Sequence, residues 1–329
     1  MQAIATRPVF VVGSFVMACC WFTRRLPGAG EHVHAERFLM EPGGKGLNVA
    51  VGLARLGTPV SLLLGLGTDA AAAQALTLLE QEGIGRAHVH AFEGPSGHGV
   101  GLIDDAGENA IAIHPGANHR LGAEHAQAAA AEIGAAALVC GQFEVSDAVL
   151  IEAFRLARSA GVPTVLNPSP WRPVEPGLLA LTDTLVVNEH EAGAWLGLGG
   201  ALDLERTDHL RALNDWRRAH PGTRVLVTLG GAGCLHGAPG DGEVVLRAAF
   251  TVTAQDSTGC GDAFTAAWCD AQARGWGDDA ALDWAQAAGA WLAQRAGVLA
   301  ALPQRAELSR WLDQGLRPRR AATRGGRGS

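Results

Sequence analysis

The feature that most constrains this chain is a recurring unit: a short run of β-branched and apolar residues, a stretch rich in alanine and leucine, then a glycine. The β-rich runs are Val9 to Val12, Val60 to Leu64, Ala137 to Val139, Thr164 to Leu166, Thr184 to Val187 and Val225 to Thr228. Helical stretches over Leu47 to Leu56, Ala70 to Glu82 and Val149 to Ala160 stop at Gly57, Gly83 and Gly161, where glycine takes the C′ position that other side chains resist. Strands that alternate with helices make a parallel sheet with crossover helices, so the chain is read as α/β. Its 329 residues are enough for one such domain with a small appendage.

Two stretches break the rhythm. Residues 15–42 hold no clear crossover helix, and Gly97 to His114 alternates around Asp104-Asp105-Ala106-Gly107 as a hairpin does. Together they read as a separate small sheet. Such a sheet cannot cover both its faces, so it is expected to lie over the main domain as a lid, and its open strand edges make a homodimer through the lid the expected assembly. The main unit is placed at 1–317, with an Arg/Gly-rich disordered tail over 318–329.

Composition narrows the class. With 48% hydrophobic and 18% charged residues and a formal net charge of -7, the chain reads as an ordinary soluble, cytoplasmic enzyme without a nucleic-acid partner. The apolar run Val9 to Phe22 is too short to cross a bilayer core of about 30 Å, and the charge before it is a lone Arg7. It is read as a buried first strand, and no membrane partner is expected. Six scattered cysteines with no CxxC pair predict neither disulfide nor zinc.

Two glycine runs carry the chemistry. In Asp256-Ser257-Thr258-Gly259-Cys260-Gly261-Asp262-Ala263-Phe264, which follows the strand-like Phe250 to Ala254, successive N–H groups at a helix start suit a phosphate that gains charge during transfer. Asp262 sits at that mouth either as a base for an attacking hydroxyl or as a helix cap, and the residues alone leave the two level. In Pro42-Gly43-Gly44-Lys45-Gly46-Leu47-Asn48-Val49-Ala50, the lysine is followed by Gly46 rather than Ser or Thr, so this is not a P-loop. Asn48, on the first helical turn, faces back to the glycines as a donor and acceptor for a polar ligand. A third run, Gly65-Leu66-Gly67-Thr68-Asp69-Ala70 with Glu93 downstream, fits a dinucleotide fingerprint and would mean an oxidoreductase, but it leaves the two stronger runs unexplained. The pairs His32/His34 and His88/His90 are read as exposed strand histidines rather than metal ligands.

Both strong runs resemble the signature motifs of the PfkB carbohydrate kinases, and of ribokinase-like members most closely. Further matches follow in order: Gly107-Glu108-Asn109, Pro115-Gly116-Ala117-Asn118, Gln142-Phe143-Glu144, Asn167-Pro168, Asn188-Glu189-His190-Glu191-Ala192 and Thr228-Leu229-Gly230. The resemblance covers nearly the whole chain. It implies a doubly wound αβα sandwich, mostly parallel, with a small β-sheet lid, and an ATP- and Mg2+-dependent transfer of phosphate to a sugar hydroxymethyl. Under it Asp262 is the base, and the amides of Gly259, Cys260 and Gly261 form the anion hole. Gly44, Lys45, Asn48 and Glu144 contact the sugar. Asn188 and Glu191 hold the magnesium-phosphate assembly through water, Thr228 and Gly230 border the phosphates, and Gly233 borders the nucleotide. Ala287 and Ala288 wall the adenine, and carbonyls near Asp256 and Thr258 bind K+. One match fails. Where ribokinase has Asn-x-Asp after the first strand, this chain has Val16 and Ala18, which cannot bond a hydroxyl through their side chains. That moves the expected acceptor from ribose towards a deoxysugar or a nucleoside.

Overall fold

The computed structural model describes residues 6–106, 108–240 and 242–314. In chain order the first strands are β1 (Val9–Val12), β2 (Val16–Thr23), β3 (Ala35–Gly43), β4 (Val60–Leu66), β5 (His88–Ala91), β6 (Gly97–Asp104) and β7 (Asn109–His114). They are followed by β8 (Leu138–Gln142), β9 (Thr164–Asn167), β10 (Thr184–Asn188), β11 (Arg224–Thr228), β12 (Cys234–Gly237) and β13 (Val245–Arg247). Nine of them form one sheet in the order β13-β12-β11-β10-β9-β8-β1-β4-β5. Every pairing from β11 to β5 is parallel, and β12 and β13 close one edge antiparallel.

Side chains alternate across the pleat, so each strand feeds two cores. Val9 and Val11 pack with the helices Lys45–Arg55, Cys260–Ala273 and Asp278–Ala293, whereas Phe10 and Val12 pack with Asp147–Ser159 on the opposite face. This is the αβα sandwich. Asp270, fully buried, ties the first of these layers together. Its carboxylate accepts from Thr58 Oγ1 (2.6 Å), Trp284 Nε1 (2.9 Å), Arg274 Nε (2.8 Å) and Arg305 Nη2 (2.6 Å).

The remaining strands make a second sheet, β3-β2-β6-β7. Strand β2 runs parallel to β6 from Val16↔Gly97 to Thr23↔Asp104, and the outer pairings are antiparallel. At the hairpin tip the Asp104 carboxylate accepts from the Ala106 and Glu108 N–H groups. Register puts Cys19, Trp21, Phe38, Met40, Val100 and Leu102 on one face, of which Phe38, Met40 and Val100 stay 52%, 49% and 38% exposed. Ala18, Glu41, Gly99 and Ile113 share the other.

Several expectations change. Phe250 to Ala254 is not a strand; the sheet edge is taken by β12 and β13, and Phe250 packs on Trp311 (centroids 5.2 Å apart). His32 and His34 lie in a loop, while His88 and His90 are half-buried, and among the described residues no group of three His, Cys, Asp or Glu is placed to hold a metal. The dinucleotide reading fails on space. Asp69 caps the helix Ala70–Gln81 and accepts from Ser96 N and Oγ, and a β-carbon on Gly67 would lie 2.3 Å from Ser96 N, so chain fills the room a pyrophosphate needs. All six cysteines are unpaired. No helix among the described residues is long and apolar enough to cross a membrane. The expected tail, 318–329, lies outside the described residues.

Candidate active site

The site gathers at the C-terminal ends of the parallel strands, where open α/β sheets bind ligands. The helix Cys260–Ala273 starts from Gly259 in the left-handed region (φ +75°), and a β-carbon there would lie 2.4 Å from Val298 Cγ1. Glycine is therefore required for the turn that opens this helix. Of the three amides expected in the anion hole, Cys260 N–H donates to Ser257 O (3.2 Å), and the N–H groups of Gly259 and Gly261 have no acceptor among the described residues. Asp262, 6% exposed, is the third helical residue. A capping carboxylate would take a backbone N–H. Instead Oδ2 accepts from Asn48 Nδ2 (2.7 Å), and Oδ1 lies 4.0 Å from Lys45 Nζ.

Lys45 and Asn48 come from the helix after Gly44 (φ +104°), whose β-carbon would meet Ser14 O at 2.8 Å and Val16 N at 2.9 Å. The two lid connections thus cross in contact. Burial opposes the Lys45 charge, but the carboxylates of Asp262, Glu144 and Glu191 outweigh it and hold the ammonium above its usual pKa. Burial pushes the Glu144 carboxyl up, against the bonds from Ser14 and Lys45. Its Oε2 accepts from Ser14 Oγ (2.6 Å) and Lys45 N (2.8 Å), and the fully buried Ser14 Oγ accepts in turn from Gly46 N (3.0 Å) and Gln142 Nε2 (3.2 Å). Asn48 Oδ1 is buried and unpartnered, an acceptor left for a ligand hydroxyl.

Asn188 and Glu191 bond each other as a capping box: Asn188 Oδ1 accepts from Glu191 N (2.8 Å), and Glu191 Oε2 accepts from Asn188 N (2.9 Å). The box leaves Glu191 Oε1 uncommitted. Both residues line a cavity of about 380 Å³ with Lys45, Asp262, Thr228 and Gly230. Through Thr228, Gly230, Ser257, Cys260 and Gly261 that cavity adjoins another of about 350 Å³, walled by Gly233, Phe250, Val252, Phe264, Gly289 and Ala290. Ala287 and Ala288 are not in this wall. The lining face of their helix runs through Gln286, Gly289, Ala290 and Ala293, at helical spacing, and the two alanines point into the core. Gln286 was not legible as a site residue, yet it is 7% exposed with both amide atoms unpartnered at the cavity. Asp256 and Thr258 sit at the same turn, where Asp256 Oδ1 accepts from Thr258 N (2.8 Å).

A family model for pfkB family carbohydrate kinases matches residues 6–305. The chain belongs to that family. Mouse (Mus musculus) ribokinase is 32% identical over 262 residues, covering 79% of this chain and 80% of its own length. A deoxyribokinase of Salmonella typhi is 31% identical over 258 residues, 78% of this chain and 82% of its own. The solved Arabidopsis thaliana ribokinase, complexed with ribose and ATP, matches with a TM-score of 0.83 and 27% identity over 93% of this chain and 99% of its own. As a pfkB kinase the chain is a phosphotransferase acting on an alcohol group, and both sheets described above match those of its ribokinase-like neighbours.

Proposed function

We propose that this kinase transfers the γ-phosphate of ATP to the exocyclic CH2OH of a sugar, with Asp262 as the base. The observation that carries the reading is the Asp262 carboxylate. It is nearly buried, it takes no backbone N–H at its own helix start, and Asn48 holds it at a cavity that the Gly259–Gly261 turn also lines. The hydroxymethyl O–H gives its proton to Asp262 as its oxygen attacks the γ-phosphorus, the bond to the β-phosphate oxygen breaks, and ADP leaves. The Gly259 and Gly261 amides and the Lys45 ammonium lie where negative charge spreads over the transferring group. The sugar is held by the unpartnered Asn48 Oδ1, by Glu144 fixed through Ser14, and by the Gly44–Lys45 backbone.

A magnesium site fits the residues present. Glu191 offers one uncommitted carboxylate oxygen in the phosphate cavity, which suits an ion that keeps most of its water and binds through few protein oxygens. Such an ion supplies charge neutralisation at the phosphates. The K+ of this reading would sit at the turn where Asp256 Oδ1 accepts from Thr258 N (2.8 Å), with backbone carbonyls there as donors of the hard oxygen type. Val16 and Ala18 lower the fit to ribose: a missing hydrogen bond to a charged group costs about 1.5–3 kcal/mol. The face of the second sheet that leaves Phe38, Met40 and Val100 exposed is the surface for a homodimer.

Asp262→Asn keeps the shape and the Asn48 neighbour but removes the proton acceptor. Its turnover, followed as ADP release, should fall by about 10²–10⁴-fold, with nucleotide affinity by calorimetry unchanged. Near-normal turnover would sink the mechanism.

A further inference from the structure

Strand β3 ends with a carboxylate that neither the phosphoryl transfer nor packing explains. Glu41 pairs across the strands with Ala18, and Gly44 and Lys45, whose backbone is proposed to hold the sugar, follow it by three and four residues. Burial pushes the Glu41 carboxyl up, and Asp256 adds to this; the opposing influence among the described residues is a bond from the Val298 N–H. That N–H has no main-chain acceptor among the described residues, and Glu41 Oε2 lies 3.7 Å from where a β-carbon on the neighbouring Gly297 would stand. The lid strand and the main chain of the body therefore meet at this carboxylate. An apolar side chain would fill the same place without the cost of a half-buried charge facing a second carboxylate.

Val298 is also the residue that closes the turn before the helix Cys260–Ala273. It is 9% exposed, and its Cγ1 would lie 2.4 Å from a β-carbon on Gly259, so the valine lies directly on the Gly259 main chain. A continuous path results. It runs from Gly44 and Lys45 back along β3 to Glu41, across to the Val298 N–H, and through the valine side chain to Gly259. The bond to Glu41 fixes where residue 298 sits, and its methyl groups limit where Gly259 can move. Resting on the kinase reading above, we infer that Glu41 is a positioning residue: by holding Val298 against Gly259, it sets the Gly259 and Gly261 amides for the transferring phosphate when the lid strand lies over the acceptor.

The role needs an oxygen that accepts the Val298 N–H, which glutamine also has and alanine lacks. Glu41→Ala, Glu41→Gln, Val298→Ala and the double alanine variant are assayed by ADP release with ribose, 2-deoxyribose and adenosine. Glu41→Ala should lower kcat about 10- to 100-fold, as a small displacement at a reacting group does, with the KM for ATP and the Tm of the parent. Glu41→Gln should stay within about threefold of the parent. The double variant should be no slower than the slower single one, because both changes break one path. Hydrogen exchange over 256–262, followed by mass spectrometry, should slow when the acceptor binds the parent or Glu41→Gln and should not respond in Glu41→Ala. An unchanged kcat in Glu41→Ala, an equal loss in Glu41→Gln, losses that multiply in the double variant, or a matching fall in Tm overturns the inference and leaves Asp262 as the base. Exchange that ignores the acceptor in the parent, or slows as much in Glu41→Ala, overturns it too. No ADP release by the parent with any of the three acceptors overturns the kinase reading instead, and the exchange measurement then decides the role of Glu41.

Discussion

Glu144 shows how one side chain can report its surroundings. Burial raises its carboxyl above the ordinary carboxylate range, so folding disfavours its ionised form. The stability linked to this group is fully present below the ordinary range and is lost as pH rises through the raised value. Glutamine has no such loss. The difference in Tm between Glu144→Gln and the parent should therefore drift in favour of the variant as pH is raised through the acidic range; a flat or opposite drift would mean that the Ser14 and Lys45 bonds outweigh burial. At this scale the sequence was partly legible. Asp262, Lys45 and Asn48 announce themselves because glycines flank them, and for Asp262 the ordered run of further motifs along the chain favours a base over the helix cap that the residue alone allows equally. Ser14 and Gln286 do not. One lies in an apolar run and the other in a core-like helix, and their roles come from neighbours 130 residues away or from an amide left unpaired by folding.

Among elements, the Asn188–Glu191 box poses the sharpest question, because it is both a helix cap and a border of the cavity it shares with Lys45 and Asp262. Glutamine at 191 can still accept from the Asn188 N–H but carries no charge. Glu191→Gln should keep the Tm of the parent while turnover falls roughly 10- to 100-fold, as for other residues that position a metal and its ligands. Asn188→Ala, by contrast, should cost about 1 kcal/mol of stability in denaturant melts. Turnover unchanged in the glutamine variant would reduce Glu191 to a cap. The parallel strands were legible because each is a buried apolar run closed by a helix and a glycine. Strands β2 and β3 were not separable, since their half-exposed faces mix Trp21, Arg37 and Met40 without clean alternation, and β12 and β13 are too short to carry a period.

For the whole molecule, one face of the small sheet carries Phe38 and Met40 half-exposed beside Trp21, an apolar surface that a partner's lid would cover. Phe38→Lys should shift the sedimentation behaviour from dimer to monomer, and a parent that is already monomeric at micromolar concentration would refute the assembly. The lid also has a mechanical consequence. Its strands enter past Phe15, whose backbone is clasped at both N–H (2.9 Å) and C=O (2.8 Å) by the Asn118 amide, one residue from Ser14 and alongside Gly44. That clasp is a fulcrum. The short arm, about one residue long, ends at the groups proposed to hold the sugar, and the long arm is the eight residues of β2, about 26 Å at 3.3 Å each. A swing about this point would be several-fold larger at the far end of β2 than at the proposed sugar site, so a dye on the adjoining hairpin tip should read acceptor binding from a point that never touches it.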